Sequence, residues 1–555
     1  MVPRVLAVVL ALSPVVGAQT ARDRARALPP PDGAELSWSA EGSKGAVVAG
    51  GSEAVSAGVE ILRSGGNASD AAVATILALS VTDAGAFCFG GEVPVLVFDR
   101  ARGVVEVVAG QGAAPRLATL AHFAGLERLP TSGLEPATVP AVVDTCVTML
   151  DRYGTMSFRQ TAEPSLRLLD RNTFPWHTDL ARTLRRLIAA EEAGRDRRSG
   201  LRLVSDAFYR GDVAREIDAW SRAQGGLLRY SDLATHVTRI ESPVTIAYRG
   251  YELYKCGPWT QGPALLQALR LVEGFDLQTS ESTRAQTIHL LTEAIKLAFA
   301  DRDAYYADPL FADVPLESLL SPDYAAKRRA LIDPNHASTT LMPGDPKLGL
   351  ARREVASPAP ALVDRPSDTT TCIVADAAGN VVAATPSGWS GVLAGSTGVW
   401  LGTRLQSFRI ESDHPNALEP GKRPRITLTP TIVLKDGEPA IAVSVAGGDL
   451  QDQVTLQMLV NLIDFGMTPA EAVRSPRFAT EHHIGSFAQA PPKLASLSVN
   501  TGVGSDTVEE LTRRGHKVST TEGTIGHPTV LRRDLRTGRV EAAGDPRAGR
   551  HAGAY

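Results

Sequence analysis

Apolar residues recur along this chain in three patterns. Val5–Leu12 is one unbroken run between Arg4 and Ser13-Pro14. Ala46-Val47-Val48-Ala49 is short and wholly apolar, which predicts a strand. Gly50-Gly51-Ser52 then opens a helix with Val55, Val59, Ile61 and Leu62 on its apolar face, and Gly65-Gly66 stops it. Asn67 to Asp70 caps a second, Ala-rich helix running to about Ser80, whose small side chains suit close packing inside the protein. From about 115 to 330 helical signals dominate. Thr283 to Ala300 places Ile288, Leu291, Ile295, Leu297 and Ala298 near a 3.6-residue period.

The pattern changes after residue 343. Residues 343–368 are rich in Pro and charge, lack periodicity and read as a flexible connector. Beyond them, apolar runs pair around turn residues. Thr370 to Val374 and Val381 to Ala384 flank Ala378-Gly379-Asn380. Thr431 to Leu434 and Ile441 to Val445 flank Lys435-Asp436-Gly437. Thr529 to Leu531 and Arg539 to Ala542 flank Thr537-Gly538. Between them lie a helix over Gln451 to Phe465 and another opened by Met467-Thr468-Pro469. A helix-rich N-terminal part and a strand-rich C-terminal part predict an α+β protein, with a sheet covered by helices. No internal repeat is visible.

The N-terminal run has a signal-peptide layout: Arg4 as the positive region, the apolar stretch, then Val16-Gly17-Ala18 before a cleavage point after Ala18. The alternative is an uncleaved anchor, although the run is shorter than the roughly 20 apolar residues of a span. Segment 1–18 is therefore expected to be removed and the protein to be secreted or periplasmic. Residues 19 to about 44 are polar and expected to be a poorly ordered lead-in.

Composition narrows the function. With 57 Lys plus Arg against 61 Asp plus Glu, the net charge is -4 and no basic run suggests nucleic-acid binding. Aromatics are only 5%, which disfavours a stacking platform for bases or sugars. Cys88, Cys146, Cys256 and Cys372 form neither CxxC nor a zinc pattern, and either pairing or burial as free thiols fits. No HExxH occurs, and His482-His483 reads as a loop feature, so no metal is expected.

The candidate chemistry begins at Ser367-Asp368-Thr369-Thr370-Thr371-Cys372, where the connector ends on a threonine that starts a strand. A threonine hydroxyl is a weak nucleophile that needs an adjacent base. Cleavage before Thr369 would free its own α-amine, whose pKa of about 7.7–8.0 suits that task. A run of threonines is equally a good strand former. Val445-Ala446-Gly447-Gly448-Asp449 lies between a strand and a helix, where backbone N–H groups can hold an oxyanion and Gly-Gly lets a substrate approach.

Together these segments resemble the γ-glutamyltransferase (glutathione hydrolase) family of N-terminal-nucleophile hydrolases. The resemblance includes SEAVSAGVEILRSGGNASDAAVAT at 52–75, Gly90-Gly91 and QGPALLQALRLVEGFDL at 261–277. It continues through DTTTCIVADAAGN at 368–380, PNALEPGKRPRITLTPTIVLKDG at 415–437, VAGGDLQDQ at 445–453, DFGMTPAEAVRSPRF at 464–478 and the terminal GDPRAGRHAGAY. It implies a four-layer αββα sandwich and self-cleavage between Asp368 and Thr369. The product would be a heterodimer of 19–368 and 369–555 forming one domain. It also implies Thr369 as nucleophile, Ser387 as the hydroxyl bonded to it, and Gly447 and Gly448 as the oxyanion hole. The acyl-enzyme would pass its acyl group from a small amide or γ-glutamyl donor to water or an amine, with no cofactor.

Departures cluster on donor binding. Gln111 stands where the family clamps the donor α-carboxylate with Arg, and a neutral amide gives no bidentate charged contact. Ser407 stands at the Asp that binds the α-ammonium, Trp389 at an Asn, and Ile426-Thr427 at a paired serine motif. Arg404 could compensate for the lost clamp or be a structural arginine. Trp389 could line an apolar acyl pocket or pack in the core. The readings are a γ-glutamyl enzyme, an amidohydrolase or acylase for another amide, and a catalytically silent homologue that binds a ligand. The absence of a GxSxG elbow leaves little for a Ser-His-Asp hydrolase.

Overall fold

Two seven-stranded antiparallel sheets lie face to face. The structure, a computed structural model, describes residues 38–278, 283–346, 369–487 and 489–555. The signal segment, most of the lead-in, nearly all of the connector and Asp368 lie outside the described residues.

The first sheet runs His551–Ala554, Gly45–Ala49, Cys372–Asp376, Val381–Ala384, Val93–Asp99, Val104–Gly110, Arg239–Glu241. The second runs Ser39–Gly42, Val540–Gly544, His527–Arg533, Glu438–Ala446, Thr431–Lys435, Tyr251–Lys255, Val244–Tyr248. Successive side chains of a strand point to opposite faces. In Gly45–Ala49, Ala46 and Val48 join the core between the sheets, while Val47 and Ala49 join the core under the helices. Ile373 and Ala375 alternate with Cys372 and Val374 in the same way. In the second sheet Ile432 and Leu434 face inward and Val433 outward. Strands apolar on both faces require cover on both.

Helices Ser52–Arg63, Ala68–Thr82 and Val142–Arg152 cover the first sheet. Helices Gly262–Val272, Arg284–Tyr305 and Leu450–Ile463 cover the second. The layers are therefore helix, sheet, sheet, helix, the expected αββα sandwich.

The Ala-rich helix behaves as its composition suggests: every residue from Ala68 to Val81 is buried. Asn67 accepts from Ser69 N and Asp70 N, and Asp70 reaches back to Asn67 N, a reciprocal cap. The neighbouring helix approaches so closely that a Cβ at Gly58 would stand 2.3 Å from Thr75 Oγ1. Asp436 (φ 53°) and Gly437 (φ 77°) close their hairpin with two left-handed residues, the turn favoured by strand twist.

Two expectations need correcting. Part of the polar lead-in is ordered: Ser39–Gly42 pairs antiparallel with Val540–Gly544, Ser39 opposite Ala543. An edge strand tolerates polar residues because one side remains unpaired. Within the stretch read as helical, Val244–Tyr248 and Tyr251–Lys255 form a hairpin around Arg249-Gly250, both at positive φ. Their alternating pattern was the available signal. The N-terminal part is helix-rich, yet among the described residues it also supplies seven of the fourteen large-sheet strands. No disulfide joins the four cysteines, all of which are buried, and burial pushes the Cys256 thiol up to about 12.

Candidate active site

Three neighbouring strands of the first sheet extend beyond their regular ends, and the site forms there. Thr369 pairs with Ser387, and Ser387 in turn pairs with Glu92. These pairs keep the register of Cys372 with Ala384 and of Ala384 with Val95. Thr369, Ser387 and Glu92 therefore share the phase of Ile373, Ala383 and Leu96, which face the second sheet. Thr369 Oγ1 lies 3.1 Å from Ser387 Oγ, and both residues are buried.

A buried ion pair stands behind Ser387. Arg404 donates through Nε to Glu92 Oε1 and through Nη2 to Ser387 Oγ. It is fully buried, and its guanidinium carbon lies 5.5 Å from the centre of the Phe487 ring. A second group fixes the backbone of the nucleophile. Arg550 Nη2 donates to Thr369 O at 3.3 Å and Nη1 to Thr370 Oγ1 at 3.2 Å. Thr370 Oγ1 donates to Asp83. Gly50 N donates to Thr371 O at 3.2 Å, and a Cβ on Gly50 would meet Asp83 Oδ2 at 2.2 Å.

The second sheet brings the glycine pair. Strand Glu438–Ala446 is tied across the inter-sheet space: Ser444 Oγ donates to Ala384 O at 2.9 Å and lies 2.9 Å from Thr385 Oγ1. Its end therefore meets the strand end that carries Ser387. Gly447 (φ 137°) and Gly448 (φ 59°) make the turn into helix Leu450–Ile463, and Gly448 lies against Phe487. Asp449 anchors this turn, taking Arg302 Nη1 at 2.6 Å and Ser486 N at 2.9 Å. Burial alone would raise the Asp449 carboxyl, but Arg302, His483 and Ser486 together hold it well below the usual carboxylate range.

The donor-binding candidates are polar, buried and partly unsatisfied. Gln111 follows Gly110, the partner of Val93; its Nε2 donates to Gly112 O, and its Oε1 has no partner among the described residues. Ser407 Oγ and Thr427 Oγ1 also lack partners among the described residues. Buried polar atoms are normally paired, so such groups suit a polar ligand. Ser407 shares a short 3₁₀ turn, Arg404–Ser407, with Arg404. Trp389 is half-buried and stacks on Trp400, ring centres 4.5 Å apart.

Glu92, Asp83, Arg550 and Phe487 were not singled out in the sequence, because nothing in their local spacing marks a contact across the fold. His289, Glu293 and His516 are buried with ligand-type atoms within 4.8 Å of one another. Their groups are already engaged: the two imidazoles bond at 2.8 Å, and Glu293 pairs with Lys296 at 2.6 Å.

The profile of the Gamma-glutamyltranspeptidase family matches residues 54–196 and 172–555. The chain belongs to that family. It is 31% identical to the glutathione hydrolase-like YwrD proenzyme of Bacillus subtilis, over 91% of this chain and 97% of that one. It is also 31% identical to the acylase ACY 1 proenzyme of Pseudomonas sp. (strain SE83), covering 86% and 88%. The crystal structure of cephalosporin acylase from Bacillus halodurans superposes with a TM-score of 0.78 at 28% identity, covering 96% and 98%. The protein is thus a γ-glutamyltranspeptidase-family amide hydrolase or acyltransferase. Among the described residues, no helix is long and apolar enough to cross a membrane.

Proposed function

We propose that the chain cuts itself between Asp368 and Thr369 and then uses Thr369 to attack an amide whose acyl part need not be γ-glutamyl. The observation carrying this reading is the contact of Thr369 Oγ1 with Ser387 Oγ at 3.1 Å, backed by Arg404. A guanidinium has donors and no acceptor, so Arg404 occupies a lone pair of Ser387. The Ser387 proton is then available to Thr369 Oγ1, and the Thr369 proton is left for its own freed α-amine.

In this mechanism the amine removes the hydroxyl proton as Oγ1 attacks the carbonyl carbon. The tetrahedral oxyanion is held by N–H groups of the Gly447-Gly448 turn. Collapse expels the leaving amine, which takes the proton, and leaves an ester on Thr369. Water or an amine then receives the acyl group by the same steps. The fragments 19–368 and 369–555 would stay together, because both sheets contain strands from each. Export after removal of residues 1–18 belongs to the same proposal.

The donor is the open choice. Gln111 and Ser407 carry no charge where the family resemblance implies a zwitterion clamp, and Trp389 with Trp400 offers an aromatic wall. These features favour an acylase-type donor over γ-glutamyl. The γ-glutamyl reading keeps the support of glutathione hydrolase relatives.

A denaturing gel with N-terminal sequencing tests the proposal. Two fragments are expected, the smaller beginning Thr369-Thr370-Thr371, and Thr369→Ala should remain one chain. A wild-type chain that stays intact on long incubation would overturn it in favour of a silent, ligand-binding homologue. γ-Glutamyl-p-nitroanilide against simple acyl-p-nitroanilides then separates the donors.

A further inference from the structure

Arg302 is fully buried in the last turn of helix Arg284–Tyr305, its guanidinium carbon 4.1 Å from the centre of the Phe299 ring. It bonds three segments that are far apart in the sequence. Nη1 donates to Asp449 Oδ1 at 2.6 Å and to Gln261 Oε1 at 2.7 Å, and Nη2 donates to Ile484 O at 3.0 Å.

Each of these segments carries or borders part of the candidate site. Asp449 directly follows Gly447-Gly448. Gln261 N donates to Ile426 O at 2.8 Å, next to Thr427. Ile484 leads to Ser486, whose N and Oγ both donate to the Asp449 carboxylate, and then to Phe487. A Cβ on Gly448 would stand 3.0 Å from the Phe487 ring, and the same ring has the Arg404 guanidinium carbon 5.5 Å from its centre. Phe487 thus joins the glycine turn to the arginine behind Ser387.

The glycine turn has a defined direction. Gly447 O accepts from Leu450 N at 3.1 Å, and Gly448 O accepts from Gln451 N at 3.0 Å. In a trans peptide the N–H and C=O point opposite ways, so the Gly448 N–H faces away from helix Leu450–Ile463. Both glycines have positive φ, and neither has a side chain to hold that geometry. Asp449 is the first side chain after them. Its carboxylate is fixed by charge-assisted bonding to Arg302, which also grips the segment that carries Phe487.

We propose that Arg302 is a positioning residue for the oxyanion site, setting the direction of the Gly448 N–H through Asp449 and the 484–487 segment. This inference rests on the amide-hydrolase reading above and names a residue on which that chemistry depends without touching substrate. The role needs the guanidinium's fixed fork of donors. A lysine ammonium is a compact point charge and lacks that fork.

The test compares processed wild type with Arg302→Lys, which keeps the buried charge beside Asp449 but not the fork. The substrate is a p-nitroanilide donor that the wild type turns over. Arg302→Lys should lower kcat by about 100-fold with KM little changed, the cost of a misplaced reacting arrangement. Its loss should be strongly non-additive with that of Gly448→Ala. If Arg302→Lys does not fold, Ser486→Ala removes one Asp449 contact without touching a charge and should show a smaller loss, again in kcat alone. Unchanged kcat, additive losses or a loss confined to KM overturns the proposal. Hydrogen exchange followed by mass spectrometry needs no turnover. Peptides covering 447–453 should exchange faster in either variant, as the bonds of Leu450 N and Gln451 N loosen, while the strand after Thr369 keeps its protection. Unchanged exchange at 447–453 also overturns the Arg302 assignment. Faster exchange there, in a protein whose wild type neither cleaves itself nor turns over an amide, overturns the amide-hydrolase reading alone.

Discussion

Arg404 holds Ser387 from behind while Ser387 holds Thr369 from the side, so a buried cation acts on the nucleophile through one hydroxyl. Glu92 secures that cation. Removing one partner of a buried pair typically costs about 3–5 kcal/mol. Glu92→Gln should therefore lower the urea midpoint and the rate of self-cleavage together. Arg404→Met should reduce kcat about 100-fold with little change in KM, the scale of a misplaced reacting group. In a double-mutant cycle, Arg404→Met and Ser387→Ala should be strongly non-additive. Additive losses would mean that Arg404 does not act through Ser387.

The glycine turn allows a controlled comparison. Gly448 has φ 59°, and a Cβ there would lie 3.0 Å from Phe487 Cε2. Gly437 has φ 77° with nothing within 4 Å of such a Cβ. Either Gly→Ala change puts an L-residue in the left-handed region, at about 1–2 kcal/mol. Only Gly448→Ala should also reduce kcat, by roughly 100- to 1,000-fold, the range for loss of an oxyanion donor. Matched kinetics in the two variants would rule out the Gly447-Gly448 turn as the oxyanion site.

Gly50 lies outside the reacting row yet presses on its support. A Cβ there would stand 2.3 Å from Thr370 Oγ1, which bonds Asp83 and Arg550. Gly50→Ala should displace the strand that begins at Thr369 and slow self-cleavage by at least about 10-fold. The fraction of cleaved chain against time on a gel measures this. Unchanged kinetics would show that the Asp83–Thr370–Arg550 group is dispensable for placing Thr369.

Stability should fall in mild acid. Burial first, then Lys296, pushes His482 and His516 down to about 3. The unfolded chain protonates these side chains near pH 6.5, whereas the folded chain keeps them neutral. The unfolded state thus gains protons first as pH drops. Stability from these two groups is full above about pH 6.5 and is lost down to about pH 3, at up to about 1.4 kcal/mol per pH unit for each. Urea midpoints at pH 7.5, 6 and 5 should decline, and His482→Gln should flatten the slope. A wild-type midpoint constant from pH 7.5 to 5 would contradict this.

Much of this protein was determined by local sequence. The Asn67 cap, the Ala-rich helix, the Asp436-Gly437 turn and the alternation in Cys372–Asp376 depend on neighbours a few residues apart. Residue order alone also marked Thr369, Ser387 and the glycine pair, through a resemblance spanning most of the chain. Tertiary structure decided the rest, because the deciding contacts join distant residues. Ser39–Gly42 becomes a strand only because Val540–Gly544 offers an edge. Glu92 meets Arg404, and Arg550 meets Thr370, only when sheets and loops come together.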